Sequence, residues 1–342
     1  MQNPETARAP AGKNESEKPV AKDDAKLSVA IPVDKKWDVS ALAVSADGKR
    51  FLAHLRTVSD TSIQLWNIPS RSLVKAIDPG PNGNGAIWLN TTIAVTSKKN
   101  IGCYHHGGFG GSLVLLDLTT GKEFRRITGT DDRPITDFIP NIHFSSDGDR
   151  LVYTTSGHIV GVDTATGKER FDLTHKDGYA FTSGLFDGSS KLVSVSRDAL
   201  KSWDLKSGKI SKTIEAKGIQ AERTTVAVSD DGKFVASGGE LDPLVIWDLG
   251  KGKSLREVAF KGSSAPKLFL PGSHILAYGN QKEIDLVDVE TGERLHSVKC
   301  PADANIKALA VTPDGSTLIS GGSGGLVLVW NLKALQAGSA GK

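Results

Sequence analysis

One short pattern recurs seven times along the chain and limits what the chain can fold into. "LVIWDL" at 244–249 has counterparts in "IQLWNI" at 63, "LVLLDL" at 113, "IVGVDT" at 159, "LKSWDL" at 200, "IDLVDV" at 284 and "LVLVWNL" at 326. The acid or amide that follows the Trp, Leu or Val falls at Asn67, Asp117, Asp163, Asp204, Asp248, Asp288 and Asn331, at intervals of 50, 46, 41, 44, 40 and 43 residues. A sustained period in this range marks a repeat architecture, in which each unit is one supersecondary motif that buries its apolar face against its neighbours.

The units share an internal order. An apolar stretch runs into an Asp-Gly turn in "LAVSADGK" (42–49), "IHFSSDGD" (142–149), "VAVSDDGK" (226–233) and "LAVTPDGS" (309–316). Asp-Gly between strand-like runs is a strong hairpin signal, because such turns need residues that tolerate positive φ. A second strand follows ("FVASGG", 234–239; "TLISGG", 317–322), then the Trp strand, then a second tight turn: "TTGK" (119–122), "ATGK" (165–168), "KSGK" (206–209) and "ETGE" (290–293). The Asp or Asn ahead of that turn can accept hydrogen bonds from turn amides, which accounts for its recurrence. A last strand, such as "RLHSV" (294–298), closes the unit.

Four short antiparallel strands per unit and seven units predict an all-β, seven-bladed β-propeller. Over residues 27–334 the chain resembles a degenerate WD40-repeat propeller, carried by Trp66-Asn67, Trp203-Asp204, Trp247-Asp248 and Trp330-Asn331. Leu116, Val162 and Val287 stand where blades 2, 3 and 6 would carry Trp. No Gly-His dipeptide precedes a first strand, so the hydrogen-bonded His–Ser–Asp–Trp cluster that the resemblance implies is absent or incomplete.

Only eleven residues follow Asn331, too few for a good fourth strand, while "KLSVAIPV" at 26–33 is a spare one. A propeller needs its first and last blades to share a sheet, since an open edge invites aggregation. Residues 27–33 are therefore expected to pair beside "LVLVWN" and close the ring. Residues 1–26, rich in Pro, Ala, Lys and Glu, lack the apolar side chains to offset their ordering entropy and read as a disordered polar linker; 335–342 reads as a flexible tail.

Composition narrows the function classes. The net charge of +3 is thinly spread, with no Lys/Arg block interleaved with aromatics, which argues against nucleic-acid binding. No apolar run reaches the roughly 18–20 residues that span a bilayer, so no membrane insertion is expected. Two cysteines, Cys103 and Cys300, make no disulfide framework and fit free thiols in a reducing compartment. The polar start fits a cytoplasmic protein, or an exported domain without its leader.

The richest chemistry sits in "IGCYHHGGFGG" (101–111). Its glycines align with those of "SGGSGGLVLVWN" in blade 7, so they read as hairpin glycines; a phosphate loop would run into a helix. Cys103 with His105 and His106 has no regular ligand spacing, and adjacent histidines do not easily aim at one zinc, so neither metal nor cofactor is expected. In propellers of this type the loop after the second strand shares a face with the connections between blades. There the two longest intervals meet, and "TGTDDRPITDF" (128–138) and "THKDGYAF" (174–181) add charge and aromatics. Tyr104, His105, His106, Phe109, Asp131, Asp132, Arg133, His175 and Tyr179 are the candidate contact residues for a protein or peptide partner, with aromatics and Arg as anchors.

No nucleophile elbow, carboxylate pair or dinucleotide loop is present. The first strands of the units, at 41–44, 142–144, 226–228 and 309–311, are aliphatic with His143 the one ionisable member, which argues against a catalytic channel. The expectation is a monomeric, non-catalytic protein-interaction scaffold docking partners through one face over blades 2 and 3. The alternative is a propeller enzyme or small-ligand or metal sensor working at the top of the central channel.

Overall fold

The computed structural model describes residues 28–78, 93–96, 98–106, 111–130, 133–135, 141–145, 147–155, 157–174, 182–186, 190–196, 198–216, 224–239, 243–258, 266–300 and 304–337. These form seven four-stranded antiparallel sheets, one two-stranded hairpin and one short helix. Blades 1 to 6 span Asp38–Ile77, Ile93–Ile127, Ile142–Thr174, Thr182–Glu215, Thr224–Val258 and Lys267–Lys299. Blade 7 takes three strands from Ile306–Asn331, and Ser28–Pro32 completes it as the outer strand. First strands pack side by side from blade 1 to blade 3 and from blade 4 to blade 7, and blade 7 returns onto blade 1. The architecture is the seven-bladed propeller that the period predicts.

Ring closure follows the expected pairing of the N-terminal strand with blade 7. Ser28 lies opposite Trp330 and Pro32 opposite Leu326, with Ile31 and Val33 buried among Val39, Phe51, Trp66 and Val327. A second tie joins the inner strands, where Lys307 Nζ meets Asp38 Oδ2 at 2.6 Å. One expectation changes at the other end. Leu332–Ala337 is a helix capped by Asn331, whose Oδ1 accepts the Ala334 amide at 3.1 Å. Leu332 and Leu335 are buried in the core between blades 6 and 7, because an amphipathic turn placed over blade 6 has an apolar surface to cover. The chain is thus helical to Ala337, where a tail from residue 335 was expected. Residues 1–27 and 338–342 lie outside the described residues.

The core shows why three blades manage without Trp. In blades 4, 5 and 7 the indole N–H donates to a serine on the neighbouring strand: Trp203 to Ser194 (2.8 Å), Trp247 to Ser237 (2.8 Å) and Trp330 to Ser320 (2.9 Å). That serine lies two residues beyond the residue opposite the Trp. In blades 2, 3 and 6 the same position holds Tyr104, Tyr153 and Tyr278, each buried, two residues beyond the residue opposite the shorter Leu116, Val162 and Val287. The aromatic ring has moved from the third strand to the second while filling the same gap, a volume-conserving exchange that packed interiors tolerate. Blade 1 keeps Trp66 beside Ala53 and satisfies its N–H on Gln64 instead (2.9 Å).

On the face carrying the tight turns, four blades are stitched to the next among the described residues. In the first six repeats the Asp or Asn after the Trp position accepts a turn amide, as Asp117 does from Thr119 (2.6 Å) and Asp288 from Thr291 (2.9 Å), and in the seventh Asn331 caps the helix instead. Basic residues of the outer strands then reach across to the next blade's turn carbonyls: Lys75 to Gly121 (2.8 Å), Arg125 to Thr166 (3.4 Å), Lys212 to Gly250 (2.6 Å) and Arg256 to Thr291 (2.6 Å). The turn glycines have positive φ, and the neighbour's side chain also crosses over them. A Cβ on Gly121 would lie 2.8 Å from Lys75 Cδ, and one on Gly292 would overlap the Arg256 guanidinium.

Candidate functional site

The candidate residues divide once they are placed in the fold. Tyr104 and His105 belong to the second strand of blade 2, Ile101–His106, and both are buried. Tyr104 packs between blades 1 and 2 against Leu52, Leu65 and Leu116, as one of the three rings that substitute for Trp. It holds the strand beneath the loop and presents no surface to a partner. Desolvation raises its phenol pKa above the ordinary value. His105, opposite Leu113, is likewise interior. A solvated loop therefore does not begin before His106, and replacing His105 carries a core cost that the sequence reading did not assign.

His106 ends that strand, and Phe109 lies outside the described residues. Arg133 lies in a two-stranded hairpin between blades 2 and 3, with Gly129 opposite Pro134 and Thr130 opposite Arg133. Ile135 follows, buried in the core shared by those blades, and its amide bonds to the Thr128 carbonyl at 3.1 Å. The hairpin is thus an ordered addition anchored by an apolar residue. Asp131, Asp132, His175 and Tyr179 lie outside the described residues.

Several polar groups escaped the sequence reading. Besides His143, the inner strands carry Asp38, Lys267 and Lys307. Lys267 donates to the Gly238 carbonyl at 2.8 Å and to Thr225, tying blade 6 to blade 5; desolvation draws its ammonium pKa down to about 7. Their signal was weak because each is a single charge at the edge of an apolar run. In blade 1, His54 is buried with Nδ1 2.5 Å from Ser40 Oγ and Nε2 2.6 Å from Thr61 Oγ1. That chain has the outline of a nucleophile, a base and an orienting group. Burial, with the nearby Arg56 charge, lowers the His54 pKa to about 3, which makes the ring a poor base at neutral pH. Its three hydroxyl and imidazole groups satisfy one another across three strands, which is a structural task.

Among the described residues no group of three His, Cys, Asp or Glu side chains is arranged to hold a metal ion. Cys103 and Cys300 are free and buried; burial raises both thiols, Cys300 to about 12, so neither is a reactive thiolate. No helix among the described residues is long and apolar enough to cross a membrane.

Fold and repeat together define the class: a seven-bladed β-propeller. Residues 292–331, in blades 6 and 7, match the family model described as WD domain, G-beta repeat. Autophagy-related protein 16 of Arabidopsis thaliana is 25% identical over 247 residues, covering 70% of this chain and 47% of that protein. The small ribosomal subunit protein RACK1 of Medicago sativa is 32% identical over 125 residues, covering 32% of this chain and 38% of that one. Protein tipD of Dictyostelium discoideum is 23% identical over 252 residues, 71% of this chain and 40% of its own. The matches span less than half the length of these relatives.

Proposed function

We propose that this protein is a non-catalytic interaction platform that docks a protein or peptide partner on the face carrying the inter-blade connections, over blades 2 and 3. The observation that carries this reading is the anchored hairpin Gly129–Pro134, an insertion that adds no strand to a blade. Buried Ile135 fixes its base, so Arg133 is delivered from an ordered support, and pre-ordering lowers the cost of binding. The opposite face uses its turn carbonyls and basic side chains to join blades. The names of the relatives support assembly with other macromolecules, since one is a protein of the small ribosomal subunit.

Within that reading, His106, Phe109, Asp131, Asp132, Arg133, His175 and Tyr179 make the contact, while Tyr104 and His105 hold the strand from below. The test is a tagged protein isolated with its bound partners, compared with Phe109→Ser/Arg133→Glu and with a control on the turn face, Lys122→Glu/Lys168→Glu. Loss of a stoichiometric partner in the first variant and retention in the second is the expected result. The converse places docking on the turn face and overturns the assignment.

A further inference from the structure

The outer strand of blade 1, Ser72–Ile77, is the least protected sheet edge among the described residues. Each blade ends in such a strand, with one side of its backbone unpaired, and natural proteins blunt these edges with charge or proline. The outer strands of blades 2 to 6 read KEFRRI, ERFDLT, KISKTIE, KSLREV and RLHSVK, each with two or more charged residues. That of blade 7 ends at Pro32. Blade 1 has SLVKAI, and its single charge, Lys75, is turned onto the Gly121 carbonyl of blade 2 at 2.8 Å. What remains at the edge is apolar: Leu73 and Val74 are 45% and 42% exposed, and Phe124 on the outer strand of blade 2 is 45% exposed.

The turn that leads into this strand is basic. Arg71 stands at the strand's entrance, and Lys49 lies against the same turn, its carbonyl accepting the Ile68 amide at 2.8 Å. Both side chains are exposed. The acids around them are matched. Asp47 has Arg50 at 3.9 Å and lies in the field of Lys49; Glu123 pairs with Arg126 at 2.8 Å; Asp117 takes the Thr119 and Thr120 amides and stands opposite Lys122. Against these three acids stand six bases, Lys49, Arg50, Arg71, Lys75, Lys122 and Arg126. Asp78 lies past the far end of the strand. The surplus calls for a partner of negative charge. An open strand edge suits a peptide, whose backbone pairs with the free N–H and C=O groups; in hydrocarbon those groups would be left unsatisfied. We propose that the outer edge of blade 1 binds an extended acidic segment of a partner protein as a fifth strand, with apolar side chains beside Leu73 and Val74 and a carboxylate at Arg71 and Lys49. This edge is on the outer wall of the ring, apart from the face over blades 2 and 3, and does not rest on that reading.

The test pans a random octapeptide phage library against the full chain. Selected peptides, labelled with fluorescein, are measured by anisotropy, and amide exchange of residues 72–77 is followed with peptide bound. The variant Leu73→Glu/Val74→Arg gives blade 1 the residues that blade 3 carries at the same two positions, Glu169 opposite the third strand and Arg170 in the bulge. The expected result is an acidic family with alternating apolar residues that slows exchange at 72–77. Its affinity falls at least tenfold in the double variant, whose melting temperature stays within a few degrees of the wild type. A basic family, no enriched family, or unchanged exchange at 72–77 would overturn the proposal. So would binding to phosphatidylserine vesicles, or a dimer in light scattering, that the double variant abolishes, since either gives the edge another occupant. Should the double variant misfold, Arg71→Asn removes the charge with a residue that accepts the left-handed φ of 55°, and undiminished affinity there overturns the proposal.

Discussion

Gly292 and Gly272 separate the two reasons for a glycine in a tight turn. Both have positive φ, 81° and 64°. A Cβ on Gly272 would meet no atom within 4 Å, whereas one on Gly292 would overlap the Arg256 guanidinium. Left-handed backbone costs an L-residue about 1–2 kcal/mol, and alanine recovers about 0.4–1 kcal/mol by restricting the unfolded chain. Gly272→Ala should therefore destabilise by about 1 kcal/mol or less. Gly292→Ala carries that cost and also ejects Arg256 from its hydrogen bonds to the Glu290 and Thr291 carbonyls. Such charged bonds are worth about 1.5–3 kcal/mol each in protected settings, and exposure at the rim cuts the pair to about 1–2 kcal/mol in total. The expected loss at Gly292 is then about 2–3 kcal/mol, read from urea unfolding followed by tryptophan fluorescence. In an Arg256→Ala background the overlap is gone, and Gly292→Ala should fall back to about 1 kcal/mol, the strain alone. Equal losses at Gly272 and Gly292, or no relief by Arg256→Ala, would show that the inter-blade stitch contributes nothing and that backbone conformation alone selects these glycines.

Three further outcomes follow from the packing and charges. Transplanting the Trp–Ser pair into blade 2 as Leu116→Trp/Tyr104→Ser should cost less than the sum of the two single changes, by about 1–3 kcal/mol of coupling in a double-mutant cycle; additive losses would mean that the two rings do not share one gap. Removing residues 1–33 should lower the melting temperature sharply and broaden the transition, because blade 7 loses the strand opposite Leu326–Trp330 and the core loses Ile31 and Val33; unchanged melting refutes closure by that strand. His274 is held by Asp231 (2.8 Å) and Glu290 (2.6 Å), and Lys233 also pairs with Glu290 (2.8 Å). Hydrogen bonding to Asp231 first, then to Glu290, raises the His274 pKa, so its stabilisation is complete below its unfolded value near 6.5 and is lost as pH rises through the folded value. Asp231, lowered to about 2, works the opposite way: its contribution is complete above its unfolded value near 4 and fades as pH falls toward 2. Melting temperature measured from pH 6 to 9 should decline more steeply in the wild type than in His274→Asn, and parallel curves would dismiss the clamp.

The sequence by itself determined the repeat and the ring. Hairpin turns and the Asp or Asn that accepts turn amides are local chemistry, visible within a few residues, so the seven units, their strand order and a closing strand within 27–33 could all be read from the chain. Which side chains are interior is a different kind of fact. Tyr104 beside two histidines and a run of glycines looks like a surface cluster in one dimension. Only the register against Leu116 shows that it fills the gap a Trp leaves, and Tyr153 and Tyr278 do the same in blades 3 and 6. The same holds for the stitches from Lys75, Arg125, Lys212 and Arg256, since each partner is a carbonyl of the next repeat. Backbone conformation depends on near neighbours and is written in short strings, whereas burial and pairing between blades depend on residues about 40 positions apart, which only the closed ring brings together.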